Sequence, residues 1–257
     1  MQVRLILFVL TILGIDVLAE ENWPRWRGPR DNGTAAPGAY PVTWNETSNI
    51  LWKTELPGRG CSTPIVWNHR IYLTAPVEGC DAVLAFDWNG MLLWQMCFGP
   101  EQAGKHRAGS GSNPSAVTDG NGVFVFFKSG TLAALDMNGK IRWKTNLEER
   151  YGPINMVWDI GSSPALTEKD VVATVMRDGD SYLAAFDKIT GELHWKVARN
   201  YEVAYEADQA YTTPIVMNFK GRESLLVWGA EHLAVHDALD GKVLWSCGNF
   251  NPEHKRN

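Results

Sequence analysis

The chain lacks the signatures of several common enzyme chemistries. It has no GxxxxGK[ST] phosphate loop, no GxSxG nucleophile elbow and no GxGxxG dinucleotide turn. The run Gly109-Ser110-Gly111-Ser112 lacks the strand-to-helix context such loops require, so nucleotide-binding and hydrolase readings fall away. No CxxC or HExxH spacing is present, so no metal site is expected. A basic excess is missing too. With 24 Lys+Arg against 29 Asp+Glu the net charge is −5, which excludes a stripe that tracks a nucleic-acid backbone. Beyond the first twenty residues no apolar run is long enough to span a bilayer. No segment sustains a helical apolar period. Cysteine is scarce, at four residues, while tryptophan is plentiful, at twelve. Something uses tryptophan repeatedly.

Residues 1–19 have the layout of a secretory signal peptide. Arg4 supplies a basic start, Leu5 to Leu13 a compact apolar core, and Val17-Leu18-Ala19 a small-residue cleavage site before Glu20. Export to the periplasm or the cell exterior is the expectation, with residues 20–49 an extended N-terminal segment. Export makes disulfides permissible. Four thiols allow three full pairings; Cys61–Cys80 is favoured for nearness in sequence.

Aligned against itself, the chain shows one hairpin four times: LAFDWNGMLLW, ALDMNGKIRW, AFDKITGELHW and VHDALDGKVLW. Asp87, Asp136, Asp187 and Asp237 open the turns. Gly90, Gly139, Gly191 and Gly241 follow, and Trp94, Trp143, Trp195 and Trp245 end the copies. Each hairpin is preceded by a second element (STPIV, NPSAV, SSPAL, TTPIV) whose Pro64, Pro114, Pro164 and Pro214 stand fifty residues apart. A fixed period of this size indicates a solenoid, propeller or array. Within a unit, PSAVT, GVFVFF, TLAALD and KIRWKT read as four short strands, which is a propeller blade. Asn89-Gly90 and Asn138-Gly139 read as primed hairpin turns with positive φ at both residues. The Asp side chains are expected to accept backbone N–H groups two or three residues on. The Trp rings are expected to cover the neighbouring blade. The mixture of Asp187, Glu192 and His194 in AFDKITGELHW resembles chemistry when read alone. Lys, Arg or Leu replaces the last two in other copies, so packing explains the string better.

The pattern A-x-D-x-x-T-G-x-x-x-W is matched at every specified position by AFDKITGELHW. It is the tryptophan-docking motif of pyrroloquinoline quinone (PQQ) dehydrogenase propellers, and the chain resembles the family of PQQ-like β-propeller repeat proteins over roughly Trp23 to Trp245. NWPRWRGPRDNG is similar to the opening of exported members of that family. The resemblance implies an all-β propeller of four-stranded antiparallel blades. About four are present, over residues 50–247 and before a polar tail at 248–257. Rings in the family commonly have seven or eight blades. ILWKTEL (residues 50–56) aligns with the final strand of each unit, Trp52 matching the other four Trp residues, so a lone outer strand is expected there. An array with this strand left over reads as part of a longer propeller.

Function is expected in what does not repeat. The loops entering the Pro elements differ between units, and variation on a repeated scaffold is where specificity resides. They place Arg59, His106, Arg107, Trp158, Asp159, Asp208, Gln209 and Tyr211 at one end of the ring, as candidates for holding a polar ligand, protein, peptide or glycan. His106 lies in a Gly/Ser-rich stretch read as flexible, a poor support for a catalytic base. Two function classes follow: a non-catalytic exported binding or scaffold module without a cofactor, and a PQQ-dependent dehydrogenase. The resemblance implies that the dehydrogenase needs a stacking Trp, Ca²⁺ held by oxygen donors and an Asp base, often with an adjacent-cysteine disulfide. No adjacent Cys pair exists, although Trp158-Asp159 imitates a ring beside an acid. The binding module is therefore the favoured reading, with no catalytic residue assigned.

Overall fold

The computed structural model describes residues 22–203, 207–248 and 250. The expected leader and most of the polar tail lie outside the described residues. The first sheet joins β1 (Ile65–Trp67), β2 (Arg70–Val77), β3 (Cys80–Asp87) and β4 (Leu92–Pro100). The second joins β5 (Val117–Thr118), β6 (Val123–Phe126), β7 (Thr131–Leu135) and β8 (Ile141–Asn146). The third joins β9 (Ala165–Leu166), β10 (Asp170–Val175), β11 (Tyr182–Asp187) and β12 (Leu193–Ala198). The fourth joins β13 (Ile215–Phe219), β14 (Arg222–Gly229), β15 (His232–Asp237) and β16 (Val243–Cys247). Each sheet is an antiparallel meander in sequence order, as the fifty-residue period requires. A five-residue helix, α1 (Leu147–Tyr151), follows β8 and has no counterpart in the sequence reading. Asn146 caps it, its side chain accepting from Glu148 N and Glu149 N.

The middle strands are buried on both faces, so they carry unbroken apolar runs whose two alternating sets serve different neighbours. Val123 and Val125 of β6 pack with Tyr72, Val83 and Ala85 of the first blade. Phe124 and Phe126 of the same strand pack with Val171, Ala173 and Tyr182 of the third. Val172, Leu183 and Ala185 then meet Leu225 and Val227 of the fourth. Each such buried side chain contributes on the order of 1.5–3 kcal/mol. The four sheets therefore form a fan, each blade glued to the next. The first blade keeps a further cluster, Leu73, Ala75, Leu84 and Phe86, on its outer face.

The hairpins hold a correction. Only the glycine of each Asn-Gly pair has positive φ, 79° at Gly90 and 88° at Gly139. The loops are one residue longer than a primed turn, closed by Asp87 N to Met91 O and Asp136 N to Lys140 O, both 2.9 Å. The Asp side chain causes this. Asp87 Oδ1 accepts from Asn89 N and Met91 N, and Asp136 Oδ1 from Asn138 N and Lys140 N. That geometry selects a type I turn with glycine at the left-handed position. Asp187 Oδ1 likewise accepts from Ile189 N and Thr190 N, and Asp237 Oδ1 from Leu239 N.

The same glycines receive indoles. A Cβ on Gly139 would fall 2.6 Å from the ring of Trp94, one on Gly191 2.6 Å from Trp143, and one on Gly241 2.7 Å from Trp195. Each ring thus lies flat where only glycine leaves room, one blade further along. The ring N–H of Trp143 donates to Lys188 O at 3.1 Å and that of Trp195 to Ala238 O at 3.0 Å. Trp94 breaks the pattern: among the described residues its buried ring N–H has no acceptor, and the equivalent carbonyl, Met137 O, receives Arg70 Nη1 at 3.1 Å.

Two further expectations change. Residues 50–56 form no strand, because no sheet offers them a ladder, yet Trp52 still covers Gly90 and donates to Trp88 O at 2.9 Å. The disulfide is Cys80–Cys97, Cα–Cα 5.9 Å, rather than Cys61–Cys80. β3 and β4 are neighbours, whereas β2 separates β3 from the strand that follows Cys61, a gap of about 10 Å that no disulfide bridges. Cys61 and Cys247 are free and exposed.

Candidate functional site

The loops entering β1, β5, β9 and β13 gather at one end of the fan and are cross-bonded into a rim. Asp159 is its hub. Its carboxylate, with only 5% of the side chain exposed, takes Lys128 Nζ at 2.7 Å, Lys105 N at 2.7 Å and His106 N at 3.4 Å. Burial alone would push this carboxyl up. The bond from Lys128, the Lys105 N–H and the Lys128 charge together hold it below the ordinary carboxylate range. Lys105 Nζ reaches back to the carbonyls of Met156 and Val157. Gln102 Nε2 donates to Glu148 Oε2 at 2.8 Å, and Ile154 N to Glu148 Oε1 at 2.7 Å.

The loop before β13 joins the same network. Val157 N donates to Gln209 Oε1 at 2.6 Å and Trp158 N to Tyr211 OH at 3.2 Å. At the other end Arg59 Nη1 donates to Arg107 O at 3.2 Å. The structure therefore brings Arg59, His106, Arg107, Trp158, Asp159, Gln209 and Tyr211 into one contiguous rim, and Asp208 stands beside Gln209, half-buried. Trp158 lies open to solvent at 54%. Lys105, Lys128, Glu148, Met156 and Trp158 line a cavity of about 380 Å³.

The Gly/Ser stretch read as flexible is the opposite. Ser110 and Ser112 are buried, Ser112 Oγ donates to Asp81 Oδ1 at 2.9 Å, and Gly111 N donates to Glu101 Oε1 at 2.8 Å. The small residues are there because the chain passes beneath the rim. Asp81 has its carboxyl raised by that burial.

Sequence reasoning missed the cations that brace the rim. Arg177 donates to the carbonyls of Tyr151, Gly152, Pro153 and Asp180, and Arg199 to those of Val227, Gly229 and His232. Both are almost fully buried, and among the described residues their partners are backbone carbonyls rather than a carboxylate. A signal existed: GVFVFFK and VVATVMR each end an apolar strand in a cation, Lys128 and Arg177. AFDKITGELHW lies away from the rim. His194 Nδ1 is 2.7 Å from Asp170 Oδ1, and Nε2 is 3.8 Å from Asp187 Oδ2.

Four sheets repeated at fifty residues, with indole-on-glycine junctions, define a β-propeller built from PQQ-like repeats. A family model described as outer membrane protein assembly factor BamB matches residues 37–175 and, overlapping, 81–249, and the chain belongs to this family. No curated protein matches it. Among solved structures it is similar to the quinohemoprotein alcohol dehydrogenase ADHIIG from Pseudomonas putida HK5, at 18% identity and TM-score 0.55, covering 77% of this chain and 35% of that one. It is similar to BamB from Moraxella catarrhalis at 16% identity and TM-score 0.51, covering 77% and 55%. A europium-containing methanol dehydrogenase follows at 14% identity and TM-score 0.51, covering 73% and 41%. The likeness is one of fold, and the chain spans 35–55% of the length of these structures.

Proposed function

We propose that the protein is an exported, non-catalytic propeller module whose rim holds a protein or peptide partner. The observation that carries this reading is the cross-bonded rim. Asp159, Gln209 and Tyr211 fix three loops against one another and leave Trp158, His106 and Arg107 exposed on a braced surface. An ordered, exposed indole on the same rim as an exposed arginine has the composition of a binding hot spot. Order present before binding lowers the cost of association. An assembly role of the kind named for BamB is compatible with such a rim. The leader at residues 1–19 and the Cys80–Cys97 bridge support a periplasmic or extracellular location.

The dehydrogenase reading calls for a free carboxylate base and a Ca²⁺ cage of oxygen donors. Asp159, the acid next to Trp158, already spends both oxygens on Lys128 and two backbone N–H groups. Among the described residues no three His, Cys, Asp or Glu side chains converge as a metal-holding group. With its oxygens so engaged, Asp159 offers no free acid beside Trp158, and we assign no redox step.

The test is a photo-reactive residue at Arg107 in cells that export the protein. A discrete adduct that disappears with Trp158→Ala is expected. No adduct, or one indifferent to Trp158→Ala, refutes the rim as a binding face. Titration with PQQ and Ca²⁺ is expected to leave the melting temperature unchanged. A clear upward shift accompanied by quinone absorbance changes would reinstate the enzyme.

A further inference from the structure

Over the first two blades the charges of the rim are sorted by depth. In the loops 57–62 and 99–112, Arg59, Lys105, His106 and Arg107 are exposed. The acids that meet these loops are not. Asp81 is 1% exposed and the Asp159 side chain 5%, and Glu101 and Glu148 are half-buried. Each already accepts from the chain itself. Asp81 takes Ser112 Oγ, Glu101 takes Gly111 N, and Glu148 takes Ile154 N and Gln102 Nε2. Asp159 takes Lys128 Nζ and the N–H groups of Lys105 and His106. The acceptor oxygens are thus spent inside the rim.

The cations have no such partners. Among the described residues Arg59, Lys105 and Arg107 pair with no carboxylate; Arg59 Nη1 donates to Arg107 O, and Lys105 Nζ to the carbonyls of Met156 and Val157. His106 Nδ1 accepts from Ala108 N at 3.2 Å, which leaves Nε2 to carry the ring proton. The indole N–H of Trp158 is a donor too. One exposed acid, Glu78, stands at this end of the two blades, on the turn between β2 and β3. The surface is therefore rich in donors and net positive, in a chain whose overall charge is −5, so composition does not account for it. It is also held in place, since Asp159 fixes the backbone of Lys105 and His106 and Gly109 N donates to His106 O at 2.9 Å. The cavity of about 380 Å³ at the same rim adds an apolar wall of Pro153, Ile154, Met156, Trp158 and Ile160.

We propose that the partner of the rim presents an acidic segment, its Asp and Glu side chains over Arg59, Lys105 and Arg107 and one large apolar side chain in the cavity beside Trp158. This rests on the rim as a binding face and adds the partner's chemistry to it. Charge complementarity selects the occupant. Carboxylates supply the acceptors that a surface of donors lacks, and a guanidinium meets a carboxylate through two parallel N–H groups. Three cations on a chain of net negative charge are too few to track a phosphate backbone, for which about 6–10 contacts are usual, so a protein segment fits better than a nucleic acid.

Selection from a library of random peptides on the full chain tests this. Enrichment of Asp and Glu around one aromatic or long aliphatic residue is expected. The affinity of the selected peptide, followed by fluorescence anisotropy, is expected to fall about tenfold or more with the double substitution Arg59→Glu and Arg107→Glu. Lys140→Glu, on the β7–β8 hairpin at the other end of the blades, is expected to leave it unchanged. Wild-type affinity should also fall as salt rises from about 0.05 M to about 0.5 M, a readout that needs no substitution. Enrichment of basic or uncharged peptides overturns the proposal, and so does no enrichment or an affinity indifferent to the double substitution. A single-stranded oligonucleotide or phosphatidylglycerol vesicles bound as tightly as the peptide overturn it as well. The rim reading fails separately. An uncharged peptide whose binding vanishes with Trp158→Ala strikes only the acidic partner, whereas loss of the Arg107 photo-adduct strikes the rim itself.

Discussion

Replacing Trp195 by alanine isolates what one indole-on-glycine junction is worth. The side chain is 8% exposed, lies over Gly241 and donates to Ala238 O. An aromatic side chain of this kind buries on the order of 200 Å². At about 25 cal/mol per Å² that is about 5 kcal/mol, an upper bound because the unfolded chain is partly compact. Core truncations of Trp cost about 3–5 kcal/mol, and the orphaned Ala238 carbonyl adds about 1. The expected loss is about 4 kcal/mol, a large part of the roughly 5–15 kcal/mol that holds a domain together. A melting temperature lowered by roughly 8–16 °C follows for a chain of this size. Since each blade touches only its neighbours, the damage is local first. Amide exchange in β13–β16 should accelerate while β5–β8 stay protected. Circular dichroism in urea measures the first quantity and hydrogen exchange the second. A loss below about 1 kcal/mol, or loosening spread equally over all four blades, refutes the junction as the unit of stability.

Three further outcomes follow from the same structure. Gly191→Ala, with φ at 75° and a Cβ driven into Trp143, should cost about 2–4 kcal/mol, whereas Gly179→Ala, with nothing within 4 Å, should cost about 1 from backbone strain alone; chemical denaturation compares them. Reduction of Cys80–Cys97, which closes a separation of 17 residues, should lower stability by about 3 kcal/mol, read as a melting shift in the presence of a thiol. Asp159→Asn should cost about 1–3 kcal/mol at neutral pH by stranding Lys128. The folded carboxyl lies below its unfolded value, so its contribution is whole above about pH 4 and fades as pH falls through the folded pKa. Wild type and variant should converge once the pH has fallen through the folded pKa, as checked by denaturation across the acid range.

The sequence by itself determined the blades. A strand needs only local alternation and a turn, and a turn needs only an Asp, a Gly and a short count, so four copies of D-x-x-(x)-G ending in Trp were legible without any long-range contact. The loops of the rim were legible as a group for the complementary reason: they failed to repeat. Tertiary structure decided everything that depends on which strand lies beside which. Cysteine pairing followed sheet order, because β3 and β4 are neighbours while β2 stands between β3 and the strand next to Cys61. Ser110 and Ser112 proved buried because another loop lies over them, which small polar residues do not announce. Asp159 became a braced hub through Lys128 of the preceding blade, and Arg177 and Arg199 found backbone carbonyls on separate segments. Residues 50–56 carry the pattern of a strand and are not one, since a strand is a relation between two segments and these residues have the signal without the partner.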